Sequence, residues 1–458
     1  MIELLKMCGF EAQEIESELP RVEKVFEKVG ITAEDIEEAK QRLAKYYDIE
    51  LQGVRKILRL YIRELLNLVL AREEGKTKIL YHIMASQFAT IGSACVSKSK
   101  KVYVIGSGDI FNVVLGCIFG KMVPILEAAE EKWLKAGAVT HCANPKTLVG
   151  LLALDLIPKP DLVVTSGFLC DTAPKTIDLL HELYDIPTCS FDTCQDRETG
   201  DYLETKRIID LAAKSMRRVT ERVQKIVGFE ITDDMLSEVP DARKDLTAIS
   251  AKLHNLLRWS DPLPLSATHA ILLQSLNQLA IDATNLPGVI DAVDTLYGEL
   301  QERVNKGVGV VEKGAPRIIA LNPPHYADPR LEHLIGEVGI ALIATEGGGL
   351  RAPLEEPPKD PYEVTVAGLL QSSLCASTGP RARIIVEECK RLNVDGVLDR
   401  YHAGCRTVTG DAVVVSDIIR KELGLPVLLF EWEGFDPRVY NHEQYKGRLE
   451  VFKTMLKT

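Results

Sequence analysis

The chain has 458 residues, with 66 acidic against 55 basic side chains and a net charge of −11. This acidic balance disfavours nucleic acid as a main partner, because phosphate binding needs clustered Lys and Arg. No apolar run reaches the ~18 residues of a membrane helix, and acidic residues occur too early for a secretory signal, so we expect a cytoplasmic protein with no membrane partner.

Residues 1–98 are expected to form an N-terminal helical domain. Apolar residues recur at helical spacing from Leu51 to Leu68. Because no strand pattern is evident before residue 97, we predict that helices continue without interruption to that point.

Residues 99–200 are expected to form a first α/β lobe. Strands are predicted at 101–105 and 161–165, a helix at about 174–183, and a further strand after Ile186. Alternating strands and helices indicate a parallel sheet with helical crossovers.

A helical connection is predicted over residues 201–314, followed by a second α/β lobe over residues 315–458. The strands predicted for this second lobe are 317–321, 339–344, 396–398 and 426–430. The fold class is therefore α/β, with two similar Rossmann- or flavodoxin-like parallel-sheet lobes and an N-terminal helical domain.

The two lobes place cysteines at matched positions. PDLVVTSGFLC passes from a strand into Cys170, and VDGVLDRYHAGC does the same into Cys405. Cys142 precedes Cys170 by 28 residues, and Cys375 precedes Cys405 by 30. Loops at the carboxyl ends of parallel strands are where open α/β sheets bind ligands, so these cysteines are candidate ligand-binding residues.

The ten cysteines divide into two groups by their surroundings. Four lie in apolar or helical segments and are expected to be buried structural residues: Cys8, Cys95, Cys117 and Cys389. Six are expected at strand ends or in loops among small and polar neighbours: Cys142, Cys170, Cys189, Cys194, Cys375 and Cys405. Such loops supply backbone N–H groups that suit thiolates and cluster sulfides.

Other functions are less well supported by the sequence. Structural zinc favours tight Cys-x₂₋₄-Cys pairs, but the pair Cys189 and Cys194 has no twin. A catalytic cysteine needs a base, for which His141, His181 and His402 are candidates. Glycine runs at 106–108 and 347–349 lack a complete dinucleotide or P-loop motif and are expected to be turns.

Three motifs resemble those of a known family. THCANPK around Cys142, SGFLCDTAPK around Cys170 and YHAGCRT around Cys405 resemble the cluster-ligand motifs of the 2-hydroxyacyl-CoA dehydratase and benzoyl-CoA reductase family. GFEAQEIE, ITAEDIEEA and LQGVRKIL near the N-terminus resemble its double-cubane-cluster branch. The likeness covers roughly residues 100–458 and implies two similar α/β lobes.

The resemblance also implies the cofactor and its ligands. In the double-cubane branch, two 4Fe–4S cubanes with three thiolates each are joined by a sulfide, giving an 8Fe–9S cluster. By motif, the first set of ligands is Cys142, Cys170 and Cys405. By count, the second set is Cys189, Cys194 and Cys375. His402, Arg406 and Tyr401 flank Cys405 and are candidate catalytic residues.

The function implied by this resemblance is ATP-dependent, low-potential reduction of a small molecule by an iron–sulfur oxidoreductase. The expected partner is a separate homodimeric ATPase with its own 4Fe–4S cluster, and the chain itself is expected to be a homodimer. Two alternatives stay open: a 2-hydroxyacyl-CoA dehydratase subunit with one 4Fe–4S cluster, and a non-enzymatic electron-storage protein.

Overall fold

Two parallel β-sheets of four strands each organise the molecule. The structure is a computed structural model that describes residues 1–132, 141–168, 170–192, 202–276, 279, 285–346, 358–402, 405 and 409–456. The first sheet consists of β1 (Lys78–Ile83), β2 (Val102–Ile105), β3 (Leu162–Ser166) and β4 (Thr188–Phe191). The second sheet consists of β5 (Arg317–Leu321), β6 (Ala341–Thr345), β7 (Gly396–Asp399) and β8 (Val427–Leu429).

The two sheets have the same topology. Their strand orders are β2-β1-β3-β4 and β6-β5-β7-β8, and every neighbouring pair is parallel. In each sheet the first strand lies between the second and the third, which is the flavodoxin-like arrangement. The prediction of two similar parallel-sheet lobes is therefore confirmed.

The prediction of uninterrupted helix up to residue 97 is wrong, because β1 lies within that region. Lys78–Ile83 pairs with β2 on one side and β3 on the other and is buried along nearly its whole length. A strand buried on both faces has a continuous apolar sequence without alternation, which periodicity does not distinguish from a short buried helix.

Helices cover the remaining described segments. The N-terminal helices are α1 (Ile2–Met7), α2 (Ala12–Lys28), α3 (Ala33–Tyr46) and α4 (Gln52–Leu70). The first lobe contains α5 (Phe88–Lys98), α6 (Ser107–Phe111), a π-helical stretch (Asn112–Ile118), α7 (Val123–Lys132), α8 (Ala143–Ala153) and α9 (Thr172–Tyr184). The connection contains α10 (Tyr202–Val227), α11 (Asp233–Ala242), α12 (Lys244–Trp259), α13 (His269–Ser275) and α14 (Leu286–Lys306).

In the described part of the second lobe there are five α-helices and a short 3₁₀ turn at Ser373–Cys375. They are α15 (Arg330–Glu337), α16 (Pro361–Leu370), α17 (Thr378–Leu392), α18 (Ala412–Leu423) and α19 (His442–Leu456). None of the helices in the described part of the chain combines the length and apolar character needed to cross a membrane.

Local sequence signals explain individual elements. The helix α3 begins with a capping box, because the Thr32 hydroxyl accepts the N–H of Asp35 at 3.2 Å and the Asp35 carboxylate accepts the N–H of Thr32 at 2.6 Å. Gly53 lets α4 pack closely on α14, since a Cβ there would lie 2.4 Å from Leu296. The N-terminal helices and the connection thus share one apolar core.

The second sheet is covered on both faces. Ile319 and Leu321 of β5 belong to one apolar cluster, whereas Ile318 and Ala320 belong to another. This alternation follows from the two-residue repeat of a strand. Because both faces of the sheet are packed, ligand-binding loops lie at its carboxyl edge. Cys405 follows β7 at that edge.

Candidate metal centre

Cys142 stands at the start of α8, where it is the N-cap residue. Its Sγ lies 3.7 Å from Nε2 of His402 and 3.9 Å from Oε1 of Glu433, both in the second lobe. The backbone N–H of Asn144 also points toward this sulfur and lowers its pKa. Cys142 therefore lies where the two lobes meet, at a helix end that supplies N–H donors.

Cys170 occupies the equivalent place after β3. It is followed directly by α9, and the N–H of Ala173 donates to its Sγ at 3.2 Å. Its side chain is buried, in the same apolar cluster as Ala173 and Ile177. A sulfur that accepts backbone N–H groups at a helix N-terminus is suited to carrying negative charge as a metal ligand.

Cys405 follows β7 in the second lobe. Its N–H donates to the carbonyl of His402 at 3.0 Å, and its own carbonyl accepts the N–H of Thr409 at 3.0 Å. Cys170 and Cys405 therefore each follow a strand of their own sheet, at the edge where ligand sites form in α/β sheets, whereas Cys142 lies at the start of α8.

The thiols of Cys142, Cys170 and Cys405 lie close enough to interact. Burial raises the pKa of Cys142 well above its ordinary value, and negative charge on Glu433, Cys170 and Cys405 raises it further. Burial raises the pKa of Cys170 to about 11, with a further contribution from Cys405. The raised pKa values of Cys142 and Cys170 favour their protonated thiols, so the site suits a cationic metal group whose binding releases protons.

Cys142, His402 and Glu433 form a compact group of potential ligands. Their sulfur, nitrogen and oxygen atoms all lie within 4.8 Å of one another, and His402 is ion-paired with Glu433. The carboxylate of Glu433 also accepts N–H groups from Ala143 at 3.4 Å and Phe435 at 3.3 Å. The sequence had given no role to Glu433, although its position shortly after the last strand, β8, was an available signal.

The other candidate residues have different surroundings. Tyr401 reaches Glu431 through its hydroxyl at 3.4 Å. His141 hydrogen-bonds to the Thr176 hydroxyl and His181 to a backbone carbonyl, so neither contact involves a cysteine. Arg406 and Cys194 lie outside the described residues.

Cys189 and Cys375 lie in a second region. Cys375 is buried within the apolar cluster that covers one face of the first sheet, and Cys189 packs against the same cluster. The expectation that Cys189 lies at a strand end or in a loop is wrong, because it is inside β4 and pairs with Val164. Burial raises its pKa to about 12.

The four cysteines expected to be structural are all buried. Burial raises the pKa of Cys8, Cys95 and Cys389 to about 12. Cys117 lies in the π-helical stretch and donates to the carbonyl of Tyr326 at 3.1 Å. Each is packed as a small apolar side chain, as its sequence context predicted.

A cavity of about 820 Å³ opens beside this group. His141, Tyr401, Trp432 and Glu433 contribute to its wall, so it leads to the residues around Cys142. Its charged lining residues are Glu130, Lys146, Glu431, Glu433, Asp436, Arg438 and Arg448. Two of the three cations are neutralised within this wall, since Arg438 pairs with Glu130 at 2.7 Å and Asp436 at 2.6 Å, and Lys146 pairs with Glu130 at 2.8 Å. Arg448 donates to the carbonyl of Leu429 at 2.6 Å.

A buried ionic network supports the cysteine-bearing loops of the second lobe. The guanidinium of Arg381 donates to Glu346 at 2.8 and 2.9 Å, to Asp411 at 2.6 Å and to the side chain of Asn322 at 3.0 Å. Glu346 also accepts the hydroxyl of Ser373 at 2.8 Å, two residues before Cys375. Arg381 therefore connects the segment that carries Cys375 with the one that follows Cys405.

Asp399 extends this network at the end of β7. It accepts the Asn322 amide at 3.0 Å and the Ser416 hydroxyl at 3.5 Å. Burial raises the pKa of Asp399 to about 7, in spite of the nearby Arg381 and with the help of Glu346. Two carboxylates, Glu346 and Asp411, thus share the guanidinium of Arg381, while Asp399 is held by neutral donors.

Known proteins match this chain over most of its length. The family described as 2-hydroxyglutaryl-CoA dehydratase, D-component, matches residues 109–456. A benzoyl-CoA reductase subunit of Thauera aromatica is 24% identical over 321 residues, which cover 66% of this chain and 71% of that protein. Lactoyl-CoA dehydratase subunit alpha of Anaerotignum propionicum is 22% identical over 330 residues, which cover 70% of this chain and 75% of that protein.

The chain has the architecture of a two-lobed enzyme subunit, in which cysteine thiols from the two α/β lobes approach one another. The family match spans the two sheets from β3 onward together with all three motif cysteines. This chain belongs to the 2-hydroxyglutaryl-CoA dehydratase D-component family. The resemblance inferred from the three cysteine motifs is thereby confirmed at the level of the family.

Proposed function

We propose that the chain is the iron–sulfur catalytic component of an ATP-dependent reductase that reduces small molecules at a double-cubane cluster. The observation that carries this proposal is the approach of Cys142 and Cys170 from the first lobe to Cys405 from the second. Thiolates are the usual ligands of iron–sulfur clusters, and three of them leave one iron of a four-iron cube for another ligand.

The surroundings of these sulfurs fit a cluster. N–H groups of Ala173 and Asn144 are directed at Cys170 and Cys142. Hydrogen bonds to sulfur and burial are the means by which a protein adjusts the reduction potential of a cluster. When bound, such a cluster supplies electrons one at a time at low potential.

A second cube would need three further thiolates. Cys189, Cys194 and Cys375 are the set proposed here, and the shared apolar cluster around Cys189 and Cys375 supports grouping these two. The connection of Ser373 to the Arg381 network gives the segment bearing Cys375 a rigid support. Rigid support is what a multi-iron site requires of its loops.

The cavity chemistry favours a small substrate over a CoA ester. A CoA ester carries several phosphate charges, which bind best to available Arg and Lys side chains. In this cavity Lys146 and Arg438 are already engaged by Glu130 and Asp436. A small neutral molecule such as acetylene does not need those cations.

His402 and Glu433 are proposed to hold the proton that reduction consumes. His402 lies 3.7 Å from Sγ of Cys142, and its ion pair with Glu433 keeps a proton in this buried place. Tyr401 lines the same cavity, and Arg406 remains a candidate from its position next to Cys405. These residues would position and protonate substrate, whereas the electrons come from the metal group.

The energy source is proposed to be a separate homodimeric ATPase with its own 4Fe–4S cluster. The 458 residues contain no G-x-x-x-x-G-K-[ST] motif for phosphate binding, which supports assigning ATP hydrolysis to a partner. The chain itself is proposed to act as a homodimer.

The proposal is tested by acetylene reduction with anaerobically purified protein and a fixed amount of reductant. We expect turnover only when the ATPase and ATP are both present. His402→Gln should lower turnover with iron content unchanged, whereas His181→Gln, which changes an exposed histidine, should have no effect. Equal turnover without the ATPase would contradict the proposal.

A dehydratase subunit with one 4Fe–4S cluster is the second candidate. The likeness to lactoyl-CoA dehydratase subunit alpha, at 22% identity, favours it specifically. Dehydration of a 2-hydroxyacyl-CoA by the same preparation, without reduction of acetylene, would select this candidate.

A further inference from the structure

A second cavity, of about 670 Å³, lies along α12 beside β6, the edge strand of the second sheet. Its walls are formed by one face of α12, part of α13 and residues 342–345 of β6. It shares no lining residue with the cavity beside Cys142. The proposed reaction therefore assigns it no role.

The charge of this cavity is opposite to that of the chain. Its described lining residues include two cations, Arg243 and Arg258, but no Asp or Glu. Burial lowers the pKa of His254 and His269, which also line it, and so favours their neutral forms. The chain as a whole has 66 acidic and 55 basic side chains. A cavity with cationic groups and without carboxylates in its described wall attracts an anion.

Arg243 lacks a partner for part of its guanidinium. Its Nη2 is buried and has no hydrogen-bond partner among the described residues. Burial lowers the pKa of Arg243, and among the described residues no carboxylate offsets this effect. For Arg258, Glu388 partly offsets the same effect of burial. Arg243 is therefore the guanidinium in this cavity whose charge the described residues compensate least.

His269 gives an independent indication of a ligand. It is 1% exposed and lines the cavity, and its Nδ1 has no partner among the described residues, whereas its Nε2 lies 3.1 Å from Asp48. Buried polar atoms in native proteins are almost always hydrogen-bonded to protein, water or ligand. The Nη2 of Arg243 needs an acceptor, and Nδ1 of His269 is a second buried polar atom in the same cavity without a partner among the described residues, so together they point to a polar molecule bound here.

The remainder of the wall is mixed, with polar side chains such as Thr247, Ser250 and Asn255 beside apolar ones. Arg243 and Arg258 are 15 residues apart, one at each end of α12, so the cavity follows about 22 Å of helix. Apolar side chains line the length between them: Leu246, Leu257, Leu265, Leu273, Leu276 and Ile343. A hydrocarbon body is the complement of such a wall.

We propose that this cavity binds an organic monoanion with a hydrocarbon body, a medium-chain carboxylate, whose head group lies on Arg243. A carboxylate accepts the unpartnered guanidinium N–H, and the alkyl chain lies against the leucines of α12 and α13. The two parts of the ligand are recognised by different chemistry, and both are needed for tight binding.

The test is calorimetric titration of anaerobically purified full-length protein with sodium octanoate. The matched probes are 1-octanol, which has the same chain without charge, and inorganic phosphate, which has charge without a chain. We expect octanoate to bind at least about tenfold more tightly than either probe. Octanoate binding no tighter than that of 1-octanol would overturn the proposal.

Variants locate the head group. Arg243→Gln should weaken octanoate binding by about tenfold or more, and Arg243→Lys should restore part of it. Lys244→Gln, which removes the same charge from the exposed neighbouring residue, should leave binding unchanged. Equal losses in Arg243→Gln and Lys244→Gln would contradict this location. Iron content is measured on the same samples, so failure here is distinct from failure of the proposed metal centre.

Discussion

Replacement of Arg381 by methionine tests the buried network that supports the metal centre. Arg381 is 1% exposed and makes four hydrogen bonds, two to Glu346, one to Asp411 and one to Asn322. Methionine fills similar volume but supplies neither charge nor donors. Glu346 and Asp411 would then be buried or partly buried without their counterion.

The expected cost follows from this burial. Removing one partner of a buried ion pair typically costs about 3–5 kcal/mol, because the remaining charge is left uncompensated. Arg391→Met on the same helix is the matched control, since Arg391 pairs with Glu388 while 45% exposed. Exposed pairs contribute about 0–1 kcal/mol. The two substitutions therefore differ by several-fold in their predicted effect on the free energy of unfolding.

The assay is urea unfolding of both variants in parallel, at neutral pH and in mild acid. Burial raises the pKa of Glu346, but Arg381 outweighs it and holds this pKa below the ordinary value. A depressed carboxyl pKa contributes stability at neutral pH that is lost as the pH falls through it. Arg381→Met removes that contribution, so its deficit should be largest at neutral pH and should narrow in acid. A deficit equal to that of Arg391→Met would refute this reasoning.

Three further predictions concern neighbouring residues. Because the pKa of Asp399 is raised to about 7, the stability of the wild-type protein should fall as the pH rises from the ordinary carboxyl range to about 7. The melting temperature of Asp399→Asn should not show this decrease. The variant Glu433→Gln should retain its iron but reduce acetylene about a hundredfold more slowly, because His402 loses its anionic partner. Loss of iron from this variant would instead indicate that Glu433 is a metal ligand. Cys375→Ala should lower the iron content from about eight toward four per chain, while Cys8→Ala should leave it unchanged; equal iron in both would exclude Cys375 as a ligand.

The two lobes were predictable because their strands are short apolar runs alternating with amphipathic helices. Arg317–Leu321 matches its predicted range, and Val102–Ile105 differs by one residue. Lys78–Ile83 was missed although it is no more buried or central than Arg317–Leu321. The difference lies in the sequence, because RIIAL is apolar after its first residue whereas Tyr81 and His82 interrupt the apolar run of KILYHI.

The cysteines after the strands were predictable from their matched positions in the two lobes. The proximity of Cys142 and Cys170 to Cys405 agrees with that expectation. Cys189 was misplaced, because a four-residue strand next to polar residues resembles a loop in sequence. Its proposed role as a ligand remains a prediction.

The partners of these cysteines were not predictable from sequence. Glu433 contacts Cys142 across 291 positions, and Arg381 binds groups from three separate segments. One sequence does not specify which loops of two lobes meet, because that depends on how the lobes pack. Buried ionic networks are a consequence of this packing and have no periodic signature.

Iron and acid-labile sulfide analysis of anaerobically prepared protein tests the proposed metal centre most directly. We expect about eight irons per wild-type chain and large losses in Cys170→Ala and Cys405→Ala. Cys117→Ala and Cys389→Ala should retain iron and lose only about 1 kcal/mol of stability, since each removes a small buried group. A reproducible content near four irons would contradict the double cubane. Absence of iron, or its loss in Cys389→Ala with retention in Cys405→Ala, would contradict a cluster held between the lobes.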